Sequence, residues 1–535
     1  MPVLLRHGRD LPPDECWSGW CAVAGAEPPH PLDPAKRLKD EAGRLESAFD
    51  AMRDEWWTLG RALAAEPGGH LGHMPTASVY ASDTGVHLAW TRVVRDLAGA
   101  PDTTLVLCDD PWTFRHLAAL PGVQAGTRPP LWRREAKLAL RGLAARTAVA
   151  LRVARAWWAC RSQRANHVPG GPFLLVYGHP GSDAAGKDAY FGPLLRDMPG
   201  LGRLLHTDCP ATRAAELAAD GRTAALHAWG HPLWTLGLPF VRWTPGRTAR
   251  IGPHGWLVRR AAALEGGGGS AAITRWQLRC QRAWAEAMRP SAVAWPWENH
   301  PWEREFCRLG RRLGFATIGY QHTVVGPHMY NQAPATNPDG LDSLPDTIAC
   351  NGPAYRDNLA GWDIPAARLA VAGAFRVAGP RPLRHDPAGP FFVGLSNDHR
   401  YNDQMMAAIE PLATAGRRFV IKQHPMFPYA FRESPTLQRT ETQLQNHDGL
   451  AGVLFCTGAI GLEGVLGGLP TFRFRPRGYV AMDVMPPGVR AVAVDGDSLA
   501  DALAQAAAPA PVSWDSVFAL PDPAVWRSLL EGKRS

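Results

Sequence analysis

Twelve short apolar runs, separated by stretches long enough for a helix, punctuate this chain between residues 78 and 494. The first five are SVYAS at 78–82, TLVLCDD at 104–110, FLLVYGHP at 173–180, SAVAWPW at 291–297 and FATIGYQH at 315–322. After a polar interval come TIAC at 347–350, LAVAG at 369–373, FFVGLS at 391–396, FVIKQHP at 419–425, GVLFCT at 452–457, TFRFRP at 471–476 and AVAV at 491–494. Strands this short and this continuously apolar are buried on both faces. The intervals between them suit the helical crossovers that parallel neighbours require. The predicted fold is therefore α/β, with two Rossmann-like lobes and an N-terminal helical elaboration.

The predicted boundaries follow composition. Residues 1–70 form a Pro-rich lead and one long helix, opened by Asp33 as cap and Pro34 in the first turn and running to about Ala65. Residues 71–345 form the first lobe. Within it GGGGS at 266–270 predicts a flexible break between two helices. The stretch NQAPATNPDGLDSLPDT at 331–347 reads as a linker or long loop, so the second lobe is expected over 346–512, followed by a helical tail over 513–535 that returns to the first lobe.

With 46% hydrophobic and 20% charged residues over 535 positions, the chain can bury large cores and is not disordered as a whole. No run of about 18 apolar residues occurs, and the opening MPVLLRHGRDLPPDE meets Pro and charge before a signal-type segment forms. A cytoplasmic protein is expected. The nine cysteines include no CxxC pair, which argues against a disulfide framework or zinc knuckle.

The net charge of +8 is concentrated in one place. Between Arg128 and Arg164 ten Arg and Lys side chains face Glu135 alone, leaving the remainder of the chain near neutral. At helical spacing Arg134, Lys137, Arg141, Arg152 and Arg155 form one stripe, with Leu140, Leu143, Leu151, Trp157 and Trp158 largely opposite and Arg146 toward the apolar side. A basic amphipathic helix over about 128–165 suits an anionic membrane surface, which would make the protein peripheral on the inner membrane; it equally suits a solvated face. Nucleic acid is not expected as a partner, because no aromatic-and-basic strand pattern accompanies the charge.

In open α/β sheets ligands bind beyond the carboxyl ends of the strands. Glu298, Asn299, His300, Trp302 and Glu303 follow SAVAWPW, and Gln321 and His322 end FATIGYQH, two runs joined by one helix over about 302–313. Glu298 or His322 is the candidate base, with Trp295 and Trp297 expected to desolvate Glu298 and raise its pKa. Asn299, Trp302, Glu303 and Gln321 are candidate acceptor or cleft residues. In the second half, Lys422, His424 and Pro425 end one run and are candidate donor-binding residues, Lys422 and His424 to stabilise the leaving group. Thr457, Gly458, Ala459 and Gly461 form a small-residue turn into a helix, a phosphate site with Glu463 placed for a ribose diol.

Three motifs read as decoys. Gly181, Gly186 and Lys187 imitate a phosphate-binding loop, but Asp188 replaces the hydroxyl residue that would hold magnesium. Asp495-Gly496-Asp497 imitates a metal-binding DxD yet reads as a turn. Asp109 and Asp110 end an early strand; capping of a helix at Pro111 is their expected use, with contact to an acceptor as the second reading.

Several motifs together carry a resemblance. EGVLGGLP at 463–470 is similar to the E-A-x-x-x-G-x-P pattern of the nucleotide-sugar lobe of GT-B glycosyltransferases, and TGAIGLE at 457–463 resembles the S-G-G-x-x-E-E turn of related sugar-nucleotide enzymes. KQHP at 422–425 resembles the His-Pro motif of bacterial capsule and CMP-sugar transferases. WPWENHPWE with GYQH is similar to paired motifs of surface carbohydrate biosynthesis proteins, and residues 351–376 resemble the entry to a GT-B second lobe. Where capsule-type enzymes often have paired Ser, this chain has Cys456-Thr457. The resemblance, over roughly 170–500, implies a GT-B-type glycosyltransferase of capsule or lipopolysaccharide biosynthesis. Such an enzyme needs no metal or cofactor and takes a nucleotide sugar as donor and a glycan or lipid-linked acceptor. The alternative is a non-catalytic sugar-nucleotide-binding or scaffold protein of the same pathway.

Overall fold

The computed structural model describes residues 3–8, 10–13, 16–28, 30–75, 82–377 and 379–532. Three sheets, parallel throughout, organise them. The smallest has four strands in the order β2-β3-β1-β4, where β1 is Val3–Arg6, β2 Gly19–Ala22, β3 Thr104–Leu107 and β4 Val123–Ala125. The largest has seven in the order β11-β10-β9-β8-β5-β6-β7. Its strands are β5 Phe173–Val176, β6 Gly202–Leu205, β7 Thr223–Ala225, β8 Ala292–Pro296, β9 Ala316–Tyr320, β10 Thr347–Cys350 and β11 Leu369–Val371. The third has six in the order β14-β13-β12-β15-β16-β17, with β12 Phe391–Gly394, β13 Phe419–Lys422, β14 Leu437–Arg439, β15 Gly452–Phe455, β16 Thr471–Phe474 and β17 Val492–Val494.

The two larger sheets are the Rossmann-like lobes expected from the alternation of apolar runs. Their division differs. TIAC and LAVAG, expected to open the second lobe, are β10 and β11 and are hydrogen-bonded into the first sheet. The expected linker at 331–347 is a series of short turns folded into the first lobe, because its polar groups find partners there: Arg304 donates to the carbonyl and hydroxyl of Thr336, and Asn299 donates to the Asn331 carbonyl. The connection between the two sheets runs instead from Val371 to Phe391.

The N-terminal region is more than a helical elaboration. Its two strands pair with β3 and β4, so TLVLCDD belongs to the small sheet and not to the first lobe. The single long helix is two, Glu41–Ala51 and Arg53–Ala65, broken at Met52, and Asp33 caps a short turn at Pro34–Lys36 by accepting from the Ala35 amide. This unit bridges to the second lobe through Glu46, whose carboxylate receives Arg473 at 2.6 Å, and through Trp90, whose indole donates to the Gly478 carbonyl. The run SVYAS lies, apart from Ser82, outside the described residues.

The core of the first lobe is built on tryptophans. Trp276 and Trp284, both fully buried, donate to Nδ1 of His227 and His167, whose Nε2 atoms donate to the carbonyls of Thr207 and Arg203. Each imidazole is thereby held neutral, and burial pushes both pKa values down to about 4. The C-terminal helix Pro523–Leu530 packs on the same lobe, with Trp526 against Phe191, Tyr320 and Phe375 and its indole donating to the Ala372 carbonyl. Burial of a ring this size contributes a few kcal/mol, of the order of 2–3.

The basic segment is a 30-residue helix, Leu131–Cys160. Arg146, which disturbs the apolar side in sequence, points inward and donates to the carbonyls of Pro239 and Gly266. The glycine run is a tight turn between the helices Gly255–Gly266 and Ser270–Met288, not a flexible break. Gly142 allows the long helix to meet it, since a Cβ there would stand 1.8 Å from the Gly266 carbonyl oxygen.

Candidate functional site

The strand order of the large sheet reverses between β5 and β8. From β5 the chain proceeds outward to β6 and β7, and from β8 it proceeds the other way to β9, β10 and β11. The loops leaving β5 and β8 therefore diverge at the sheet's carboxyl edge, the usual ligand position in this architecture. Tyr177 and His179 follow β5, His206 follows β6, Glu298 and His300 follow β8, and Gln321 and His322 follow β9. Their rings are linked: Tyr177 lies 4.8 Å from His206 and 5.7 Å from Tyr190, and Tyr190 meets His322 edge-on at 5.1 Å. Arg376, from the connection to the second lobe, lies over the Tyr190 ring at 5.0 Å.

The β8 loop is shaped by the helix that follows. Pro301 occupies the first helical position of Pro301–Leu313, and Glu303 in the first turn reaches back to accept from the amides of Glu298 and Asn299 at 3.0 and 2.8 Å. Asn299 turns the chain with φ of 60°, an uncommon angle that Asn tolerates, and the Asn331 side chain donates to the Glu298 carbonyl. Asn299 and Glu303 are thus buried structural groups, and the cleft role expected of them is corrected on that ground. Trp302 is buried against Trp295, Phe306 and His206. Gln321 is fully buried with neither amide atom partnered, as is the Nδ1 of His322 and of His300. Unpartnered buried polar atoms are costly, and several gather at the carboxyl ends of β8 and β9.

Glu298 receives a hydrogen bond from His300 Nε2 at 2.7 Å, and its second oxygen lies 3.6 Å from His322 Nε2. Burial works to raise its pKa, but the bond and charge of His300, with the fields of His322 and Arg376, bring it down to about 2. The expectation that the neighbouring tryptophans raise it is overturned by this ion pair. Glu303 is the carboxyl that burial raises, to about 7. Burial lowers His322 to about 4 against the pull of Glu298, whereas His300 is raised, the hydrogen bond and charge of Glu298 outweighing burial. At neutral pH the group includes a carboxylate at Glu298 and a neutral imidazole at His322, with His300 drawn toward its protonated form by Glu298.

In the second sheet the order reverses between β12 and β15. Gly458, after β15, adopts φ of 109° and ψ of 169°, a conformation essentially reserved for glycine, and leads into the helix Ala459–Leu466. The first amides of this helix have no partners within it, and no side chain among the described residues caps them. Thr457, Gly458 and Ala459 are partly accessible there. Gly461 serves packing instead, because a Cβ would meet the Phe455 ring at 2.2 Å. Glu463 is half-buried, with its pKa raised by burial, and lines a small crevice with Arg381, Gln445 and Trp514.

Lys422 ends β13 and His424 follows it, and β13 is separated from β15 by β12, about 10 Å away at ordinary strand spacing. Lys422 is held by Glu441, donating to its carbonyl at 2.6 Å and lying 3.2 Å from its carboxylate. His424 forms a tight turn with Phe427, and Pro425 is exposed beside it. The structure therefore does not bring Lys422 against the glycine turn.

Asp110 caps the helix Pro111–Leu117 through the amides of Trp112 and Thr113 and pairs with Arg260 at 2.8 Å; Arg260 also grips Asp83 through two bonds of 2.7 Å. Asp109 pairs with His7. Both aspartates line a cleft of about 620 Å³ with Arg133 and Arg400. It shares Asp83, Arg260, Arg400 and Tyr479 with a second cleft of about 380 Å³ that reaches His73 and Asp398. His73 stands edge-on to His300 at 6.4 Å, so the small sheet, the first lobe and the β12 loop converge. The decoys are turns: Asp188 is buried, accepting from the amides of Tyr190 and Phe191, and Asp495 accepts from Ser498 and Asp497.

Sequence reasoning missed Tyr177, His206, Arg376, Arg400 and Tyr479. The first two follow strands, one of them β6, which lacks a marked apolar run; Arg376, Arg400 and Tyr479 acquire meaning only from the lobe arrangement.

The fold and crevices define a two-lobed α/β protein of GT-B-like architecture. No protein-family model matches the chain, and no curated protein matches it. Among solved structures it is similar to the calicheamicin glycosyltransferase CalG4, at 15% identity and a TM-score of 0.37 over 68% of this chain and 94% of that one. It is also similar to the UDP-GlcNAc 2-epimerase of Neisseria meningitidis, at 12% identity and 0.31 over 56% and 82%, and to Acinetobacter baumannii MurG, at 10% identity and 0.32 over 68% and 95%. Likenesses this distant do not bear on the activity, which is argued from the chain's own residues.

Proposed function

We propose that the protein is a glycosyltransferase that moves a sugar from a nucleotide-sugar donor to a glycan or glycolipid acceptor at the cytoplasmic face of a membrane. The observation that carries this reading is the convergence of Glu298, His300 and His322 at the reversal point of one sheet, together with a glycine-led helix start at the reversal point of the other. In this reading the acceptor hydroxyl gives its proton to Glu298 or His322 as its oxygen bonds to the anomeric carbon. The bond from that carbon to the donor phosphate breaks, and the nucleotide leaves with the electron pair. Arg376 and the amides after Gly458 stabilise the charge that develops on the departing phosphate.

A second reading, a sugar-nucleotide-binding protein without turnover, is favoured by two observations: Glu298 is drawn down to about 2, which weakens it as a base, and Lys422 is occupied by Glu441. Calorimetric titration with CMP-, UDP- and GDP-sugars, followed by an assay of donor consumption with and without acceptor glycans, separates the two. Binding with turnover supports transfer, binding without turnover supports the second reading, and no binding by any nucleotide sugar removes both.

A further inference from the structure

The described residues include fifteen exposed large apolar side chains, and eight of them belong to two adjoining segments, the helix Leu131–Cys160 and the turn Pro232–Phe240. Among them are Leu140 and Leu236, each 72% exposed, Phe240 at 79%, Leu151 and Trp158. Such concentration on a water-facing surface is unusual for a face meant to stay in water.

At 100° per residue the helix has three faces. Leu138, Gly142, Arg146, Val149, Val153 and Cys160 face the core. Leu140, Leu143, Leu151 and Trp158 form an outward apolar stripe, and Arg134, Lys137, Arg141, Arg152 and Arg155 form a third, basic one. The flanking contacts fix the order: Arg141, on the basic side, donates to the Gly267 carbonyl, while Arg146 reaches across to Pro239. The apolar stripe therefore borders the 232–240 turn and continues into its Leu233, Leu236 and Phe240, with the basic row along the opposite margin. The sequence pattern alone indicated a charged amphipathic helix; the second segment doubles the apolar surface.

We propose that this composite face docks on an anionic lipid bilayer, with the 232–240 turn and the leucine stripe entering below the headgroups and the basic row lying among them. The inference does not depend on the sugar-transfer reading. Charge complementarity selects the occupant: the nine basic residues other than the inward-pointing Arg146, against Glu135 alone, fit a polyanionic plane, and a helix about 45 Å long fits it lengthwise. Among the described residues no helix is long and apolar enough to cross a membrane.

The test is co-sedimentation of the full chain with phosphatidylcholine vesicles, with and without phosphatidylglycerol, at low and high salt. The proposal expects preference for the anionic vesicles and a fraction that stays bound at high salt, because apolar insertion is not screened. L236E with F240E should weaken partitioning about tenfold or more and abolish the salt-resistant fraction. R152E with R155E should weaken it about tenfold at low salt. Both pairs lie on the surface and should leave the melting temperature unchanged. Wild-type binding by L236E/F240E, complete release by salt, or no binding to either vesicle would overturn the proposal. So would self-association that L236E/F240E removes without any vesicle binding, which would assign the face to a second copy of the chain.

Discussion

Glu298 and His300 share a hydrogen bond of 2.7 Å that leaves the second carboxylate oxygen facing His322 at 3.6 Å. One carboxylate thus stands between two imidazoles of opposite tendency, His300 raised by it and His322 kept neutral by burial. The arrangement holds an anion in a largely enclosed place while keeping one neutral imidazole edge beside it.

Replacing Glu298 by Gln keeps the shape and removes the basicity. If transfer is the activity, E298Q binds donor normally and loses about 10²-fold or more in turnover, while H322N is a lesser binding variant. The pH profile of kcat/KM carries a second check. Glu298 at about 2 and His322 at about 4 are both in the base form at neutral pH, so the acid limb should lie near or below pH 4. An acid limb well above pH 4 would remove both Glu298 and His322 as the base.

Stability should fall in mild acid because of His167 and His227. Their folded pKa values, about 4, lie below the ordinary value near 6.5, so the unfolded chain binds protons first as pH drops. The stabilisation is present in full above about pH 6.5 and is lost progressively toward pH 4, roughly 2 kcal/mol per histidine by pH 5. Urea melts at pH 7.5, 6 and 5 measure this. A midpoint that holds steady across that range would mean these imidazoles are not kept neutral.

Gly458 and Gly461 should separate by readout. No atom lies within 4 Å of a Cβ at Gly458, so G458V costs about 1–3 kcal/mol in backbone strain and, if the turn holds the donor phosphate, sharply weakens nucleotide-sugar affinity. G461A meets the Phe455 ring and should lower thermal stability through packing. Unchanged donor affinity in G458V and in E463A would remove the phosphate assignment of this turn.

Arg260 is buried and neutralises Asp83 and Asp110 together. Its removal in R260M strips both aspartates of their shared cation and should cost about 1–3 kcal/mol, measured by denaturant titration, because Asp83 is partly exposed and keeps His87 while Asp110 keeps the donors of its helix cap. R260K retains charge but loses the two-pronged grip on Asp83, and an intermediate loss is expected. Equal stability of all three proteins would show that solvent, not Arg260, satisfies these aspartates.

The chain itself determined the kind of element at most positions. Apolar runs such as Phe173–Val176 and Gly452–Phe455 are strands, and Pro301 and Asp110 mark helix starts, because side-chain periodicity and capping act over a few neighbouring residues. It also placed Glu298, His322 and Gly458 at strand ends. Strand order was decided only in three dimensions: β8 lies beside β5, β10 beside β9, and Val3–Arg6 between β3 and β4. Pairing between distant strands depends on the summed packing of both sheet faces, which no local pattern carries. For the same reason the pKa of Glu298 was read in the wrong direction, since the tryptophans beside it are local whereas its balance of charge is set by His300, His322 and Arg376 together. Arg146 likewise looked like a flaw in an apolar stripe until tertiary contacts gave it the carbonyls of Pro239 and Gly266.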